Sequence, residues 1–210
     1  MTPSLPRPIF VVGMNGSGTT MLLHSLGNHS EIYAHPPETQ IIPHYIQSIH
    51  KYGDLDRDSQ FLRLWMDILS ERSLVISNSG RTLPLPSDWK EYGRTVGEVF
   101  NYAFSYFATS LHKSIWAEKT PMHVFYISDL ADRFPSARFI HVIRDGRDCA
   151  ASFHRRWKRT PWLTTYRWKK AVLAGHSQGV LLGKDRYMEV KYEDQRCPVS
   201  QAKVAINCPA

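Results

Sequence analysis

The stretch IFVVGMNGSGTT, residues 9–20, constrains this chain more than any other. Residues 9–12 are a short, apolar, β-branched run, the profile of a strand buried on both faces. Over residues 19–26 the pattern changes to Met21, Leu22, Leu23 and Leu26, closed by Gly27-Asn28, which reads as a helix with a C-terminal stop. The glycines therefore sit at a strand-to-helix turn. Gly13 permits a sharp departure from the strand, and Gly16 and Gly18 let backbone N–H groups approach an anion without interference from a Cβ atom. The helix starting near Thr19 points its unsatisfied N–H groups at that anion, and Ser17, Thr19 and Thr20 add hydroxyl donors. A turn that serves packing alone is the alternative.

The spacing is almost that of a nucleoside-triphosphate loop, G-x-x-x-x-G-K-[ST], but Thr19 stands where the lysine belongs. That lysine reaches the terminal phosphates, so its loss speaks against ATP or GTP hydrolysis. A shorter anion, such as one phosphate beside a reacting group, remains compatible. Positive charge must then come from elsewhere. The chain has charge to offer: 26 Lys and Arg against 19 Asp and Glu give a net charge of +7, which favours an anionic partner without saying which.

Further along, a helix is expected from about Glu38 or Thr39 to His50. Residues 51–94 read as a helical and loop insertion over one edge of the core. A helix is expected over 95–113, a strand over 115–118, a helix over 122–134 and a strand over 138–143. Residues 144–146 turn into a helix reaching about Trp157, followed by a helix over 162–182 and a last strand over 187–190. Four strands alternating with helices imply a P-loop-like, three-layer α/β/α fold with a small, mostly parallel sheet, and a single domain over 1–210. Three cysteines without C-x-x-C spacing argue against a disulfide framework or zinc site. No run of eighteen apolar residues occurs, so no stable membrane insertion and a cytoplasmic location are expected.

GMNGSGTTMLLHSLGNHSEI together with FIHVIRDGRDCAASFHRRW resembles the sulfotransferase superfamily, whose donor is 3′-phosphoadenosine 5′-phosphosulfate (PAPS). The continuation HPPETQIIP is similar to the tyrosylprotein sulfotransferases and related bacterial enzymes, and the resemblance spans roughly residues 8–194. It implies that Asn15, Gly16, Ser17, Gly18, Thr19 and Thr20 form the 5′-phosphosulfate loop, and that Arg144, Ser152 and Arg156 hold the 3′-phosphate. Ser152 lies about two helical turns after Arg144 and Arg156 one turn beyond Ser152, on the same helix face. Tyr192, in Lys191-Tyr192-Glu193-Asp194, matches a tyrosine that contacts the nucleotide, although an aromatic after a buried strand can equally be core. Arg144-Asp145-Gly146-Arg147-Asp148 can alternatively be a self-satisfied, salt-bridged turn.

Two residues carry the expected chemistry. Lys119 follows the strand at 115–118 and emerges at the same rim as both loops; the resemblance places a comparable lysine near the transferring sulfuryl group. Most family members have Lys or Arg where this chain has Gly16, which shifts electrostatic stabilisation onto Lys119. Its alternative is a strand-end lysine paired with Glu118 or another acid. Glu38 matches the family's catalytic glutamate and would accept the acceptor's proton; its alternative is a helix N-terminal glutamate facing the dipole. His24, His35 and His123 are other candidate bases. Gln40 stands where the tyrosylprotein enzymes have arginine, which weakens the case for a tyrosylprotein acceptor.

The resemblance thus implies sulfuryl transfer from PAPS to a hydroxyl or phenol on a small-molecule, peptide or glycan acceptor, with no metal and no nucleic-acid partner. Two rivals remain: a P-loop kinase, and a degenerate module that binds the bisphosphate without transfer. After Asp194 the match stops, and residues 195–210 are atypical for the family.

Overall fold

A computed structural model describes residues 7–158 and 160–196 of the protein. Five strands form one sheet in the order β2-β3-β1-β4-β5: β1 (Ile9–Gly13), β2 (Ile32–Ala34), β3 (Ile115–Lys119), β4 (Arg138–Ile143) and β5 (Tyr187–Lys191). Every pairing is parallel. Parallel neighbours require crossover connections, and helices supply them: α1 (Thr19–Gly27), α2 (Ile42–Gln47), α3 (Asp58–Leu69), α4 (Arg72–Ser77), α5 (Val96–Ser110), α6 (Ile127–Arg133), α7 (Gly146–Trp157) and α8 (Pro161–Gly179).

Both faces of the sheet are covered. The alternating side chains of β1 divide between them: Ile9 and Val11 pack with Leu22, Leu23 and Leu26 of α1, and Phe10 and Val12 enter the larger core on the opposite face. There Phe10 meets Trp116 edge-on and stacks on Phe139, and Trp116 stacks on Phe104 of α5 with ring centroids 4.5 Å apart. Each aromatic contact of this kind adds about 0.5–1.5 kcal/mol beyond area burial. The segment expected as an insertion, 51–94, carries α3 and α4, and Phe61, Leu64, Trp65 and Ile68 of α3 are buried in the same core.

The structure corrects several expectations. A fifth strand, β2, was not anticipated: three residues beside a Pro36-Pro37 pair carry little period-2 signal, and tertiary contacts define it. Lys113 Nζ donates to the carbonyls of Gly27, His29 and Ile32 at 3.0, 3.1 and 2.7 Å, tying the end of α1 to the start of β2. The helix expected from Glu38 to His50 begins only at Ile42, with Pro43 in its first turn, and ends at Gln47. Gln40 has a positive φ of 57°, incompatible with a helix running through it. The helix expected over 122–134 is a 3-10 turn, Pro121–Phe125, followed by the shorter α6. Of the atypical C-terminal stretch 195–210, residues 197–210 lie outside the described residues.

Candidate active site

Strand register brings the candidate residues to one rim. Lys119, the last residue of β3, pairs with Val11 of β1; Gly13 pairs with Val142 of β4; Ala34 of β2 pairs with Ala117; Ile143 pairs with Lys191 of β5. The glycine loop, Lys119, the segment bearing Glu38, Arg144 and Tyr192 thus all leave the carboxyl ends of adjacent parallel strands, where α/β proteins collect ligands.

The loop closes on itself through Ser17 N–H donating to Met14 O at 2.9 Å, and α1 starts at once, Leu22 N–H donating to Gly18 O at 3.1 Å. Gly18 has φ +100°, and a Cβ there would strike the Tyr192 ring, so that tyrosine lies directly over the loop. Ser17 and Thr19 are buried, Asn15, Gly16 and Gly18 half-buried and Thr20 exposed. Ser17 Oγ is buried with no hydrogen-bond partner. An orphaned hydroxyl in a glycine loop at a helix N-terminus suits an anion's oxygen.

Arg144 crosses to this loop. Its Nη1 donates to Gly16 O at 3.1 Å, its guanidinium lies 4.2 Å from the centroid of the Tyr192 ring, and its Nε is buried without a partner. Trp168 of α8 donates its Nε1–H to the Arg144 carbonyl at 2.8 Å and holds the turn in place. The salt-bridged-turn alternative holds in part: Arg147 pairs with Asp145 at 2.7 Å, and those hydrogen bonds pull the Asp145 carboxyl down to about 2. Arg144 makes a looser contact to Asp148 at 3.5 Å and otherwise faces the loop. Ser152 of α7 is buried beside Gly16, where a Cβ on the glycine would stand 3.4 Å from Ser152 Oγ. Arg156 is exposed in the last turn of α7.

Glu38 and Lys119 meet. Lys119 Nζ donates to Glu38 Oε1 at 2.6 Å, and the lysine side chain is only 6% exposed against 30% for the glutamate. Gln40 Nε2 donates to the other carboxylate oxygen at 3.3 Å. The helix-dipole alternative for Glu38 falls, because α2 begins four residues later. Pairing of Lys119 with Glu118 falls too, because the Glu118 side chain points to the other side of the strand, but pairing with another acid is what the structure shows, and that acid is Glu38.

Glu118 is the residue that sequence reading missed. Fully buried, its Oε1 accepts from Thr39 N–H (3.3 Å), Thr39 Oγ1 (3.1 Å) and the Thr120 hydroxyl. His123 Nδ1 sits 3.1 Å from Oε2, within ion-pair distance but out of line for a hydrogen bond. Burial pushes this carboxyl up, but the facing His123 and the hydroxyl and amide donors outweigh it and hold Glu118 below the usual carboxylate range. Gln40 N–H donates to Thr120 Oγ1 at 3.3 Å, so the network sutures the loop bearing Glu38 to the end of the strand bearing Lys119. The signal lay in the spacing of Glu118, Lys119, Thr120 and His123, but one sequence does not show which of two adjacent charges faces inward.

Among the alternative bases, His35 is fully buried against Tyr33 and Phe104, and desolvation, partly offset by Glu118, lowers it to about 4. His123 is buried on Glu118, and His24 is exposed on α1. None joins the Glu38–Lys119 pair. Among the described residues no group of three His, Cys, Asp or Glu side chains could hold a metal ion, and no helix is long and apolar enough to cross a membrane.

Comparison with known proteins bears on the fold and family of the chain. The chain is 28% identical over 198 residues to a protein-tyrosine sulfotransferase of Drosophila melanogaster, an alignment covering 88% of this chain but only 34% of that relative. Its fold is similar to that of the sulfotransferase domain from the Synechococcus PCC 7002 olefin synthase, with TM-score 0.63, 20% identity and coverage of 100% of this chain and 77% of that one. A sulfotransferase domain from the curacin biosynthetic pathway matches with TM-score 0.62 and 18% identity, over 98% of this chain and 75% of that one. The profile of the sulfotransferase family matches residues 8–202, nearly the whole chain, and the protein belongs to that family.

Proposed function

We propose that this chain, acting as a single domain, transfers the sulfuryl group of PAPS to a hydroxyl or phenol, with Glu38 as base and Lys119 as electrophilic stabiliser. The Glu38–Lys119 contact at 2.6 Å, at the strand-end rim beside the glycine loop, carries this reading. PAPS supplies an activated sulfuryl group on a phosphate leaving group. Glu38 takes the acceptor's proton as the new oxygen–sulfur bond forms, and Lys119 balances the charge left on the 5′-phosphate as its bond to sulfur breaks. Proton sink and cation stand 2.6 Å apart, with the cation almost wholly out of solvent, where a charge acts more strongly than in water.

The residues present fit the donor. Ser17 Oγ, the backbone of residues 15–20 and the start of α1 would hold the 5′-phosphosulfate; the partnerless Arg144 Nε, with Ser152 and Arg156, would hold the 3′-phosphate. Tyr192, over Gly18 and under the Arg144 guanidinium, would close the nucleotide side. Charge balance then needs no metal. The acceptor, whether peptide, small molecule or glycan, approaches from the side of Glu38 and Gln40, where the uncharged Gln40 amide already contacts the base.

Labelled PAPS incubated with the protein and a panel of phenol, peptide, sugar and lipid acceptors tests this directly. Transfer without added magnesium, lost in both Glu38→Gln and Lys119→Ala, is expected. Tight binding of adenosine 3′,5′-bisphosphate with no transfer to any acceptor would favour the degenerate module instead, and magnesium-dependent ATP turnover would favour a kinase.

A further inference from the structure

Helix α8 is amphipathic in the wrong sense for a helix that merely covers a sheet. Its buried positions are Thr164, Ala171, Gly175 and Gly179; Trp168 packs inward against the core, but three other large apolar side chains point outward: Trp162 is 77% exposed, Tyr166 48% and Leu173 57%. At 100° per residue, Trp162, Tyr166 and Leu173 fall within about 40° of one another around the helix axis. Val180, seven residues past Leu173, extends the line into the following 3-10 turn, where Leu181 is 81% exposed. The inward face is small because the helix lies close on the sheet: a Cβ on Gly175 would strike the His141 ring, and one on Gly179 the Tyr187 ring. An ordinary surface helix buries its large apolar stripe. This one leaves it in solvent.

The charge along this stretch of chain is one-sided, although Glu189 of β5 comes against α8 at His176, 3.0 Å away. Residues 149–184 contain eight Lys and Arg and no Asp or Glu; the remainder of the chain has 18 basic residues against 19 acidic, so the whole net charge of +7 is accounted for by this one segment. Arg155, Lys158, Arg167, Lys169, Lys170 and Lys184 are all exposed. Lys169 and Lys170 flank the apolar stripe, about 20° beyond one edge and about 40° beyond the other; the Lys170 ammonium is 4.8 Å from the centroid of the Tyr166 ring, which in turn stacks on Trp162 with planes 4° apart.

We propose that the outward face of α8 docks on an anionic lipid bilayer, lying in the plane of the headgroups. A straight apolar edge about 28 Å long, from 19 residues, suits a flat surface. Trp and Tyr at one end, aliphatic side chains along the line and lysines at its margin are the pattern of an interfacial helix. A second copy of the same face is disfavoured, because it would set like charges against each other. A protein groove of fixed register would be matched by charges of both signs, and the charged side chains of α8 itself, Arg167, Lys169 and Lys170, are all basic. The surface is peripheral, and no span of the bilayer is involved.

Co-sedimentation of the full chain with vesicles tests this, comparing phosphatidylcholine alone with phosphatidylcholine containing phosphatidylserine. Partition onto the anionic vesicles only, released by high salt, is expected, with Lys169→Glu/Lys170→Glu lowering it by about tenfold or more. Trp162→Ala and Leu173→Ser each lower it several-fold with unchanged circular dichroism, as exposed substitutions should. Adenosine 3′,5′-bisphosphate binding stays as in the wild type in all these variants, which keeps the surface separate from the donor site. Equal partition of variants and wild type, no preference for the anionic vesicles, or a dimer that Leu173→Ser dissolves would each overturn the proposal.

Discussion

Lys119 and Glu38 form an ion pair whose partners differ in accessibility, 6% against 30% for the side chains, and that asymmetry suits the two roles proposed for them. The buried ammonium is a fixed electrostatic element; the glutamate is the one an acceptor can reach. In the proposed mechanism Lys119→Ala removes the positive charge that faces the leaving phosphate, so turnover should fall by roughly 10²–10³. The dissociation constant of adenosine 3′,5′-bisphosphate, measured by calorimetry, should change far less, because the glycine loop and Arg144 remain. Glu38→Gln keeps the shape and loses the proton acceptor, with an expected loss in turnover of about 10²–10⁴ and little change in donor affinity. A variant that lost donor binding and turnover in proportion would reassign either residue to binding. Arg144 belongs to the opposite class: its contacts to Gly16 O and the Tyr192 ring set it beside the glycine loop, and in the proposed role on the 3′-phosphate Arg144→Ala should act on affinity.

Loops and strand ends set these side chains, and here legibility in the sequence divides sharply. Thr39→Val preserves volume but deletes the hydroxyl bond to Glu118 at 3.1 Å, leaving a buried acceptor short of one donor at a cost of about 1–2 kcal/mol. Turnover should drop several-fold with donor affinity intact, and Thr39→Ser should restore it; equal turnover in Thr39→Val would show that the suture does not position Glu38. Gly18→Ala meets two penalties, a φ of +100° and the Tyr192 ring, so the bisphosphate should bind at least about tenfold more weakly. Adding Tyr192→Ala relieves only the second. The glycine turn, β1, α1 and the strand ahead of Arg144 were readable because their signals are local: an apolar run, a glycine at a forced φ, a 3.6 period. The three-residue β2, the delayed start of α2 and the inward turn of Glu118 were not, since each depends on what the rest of the chain packs against it. Glu38 was found through its resemblance to a known motif, but its partner Lys119 at 2.6 Å could be seen only once β2 and β3 were adjacent.

For the molecule as a whole, two histidines buried in the core couple stability to acid. His35 and His141 are both 0% exposed, and desolvation lowers each to about 4, with Glu118 and Glu189 respectively pulling back upward. In the unfolded chain a histidine binds its proton near pH 6.5. Between about 6.5 and 4 the unfolded state therefore holds protons that the folded state refuses, and stability falls as pH drops through that window. The two sites together should cost several kcal/mol by about pH 4, an order-of-magnitude figure. Urea midpoints measured across that range should decline, and His141→Gln should flatten the slope. The same architecture puts two candidate anion sites at one sheet edge, the loop at residues 15–20 and Arg144 with Ser152, and the proposal on which the rest depends is that they hold the two phosphates of one nucleotide. Calorimetric titration of adenosine 3′,5′-bisphosphate against adenosine 5′-monophosphate tests it most directly. A charge-assisted contact to the 3′-phosphate predicts a preference of about tenfold or more for the bisphosphate, abolished in Arg144→Ala. Equal affinity for the two nucleotides, or a preference that survives in Arg144→Ala, would contradict it.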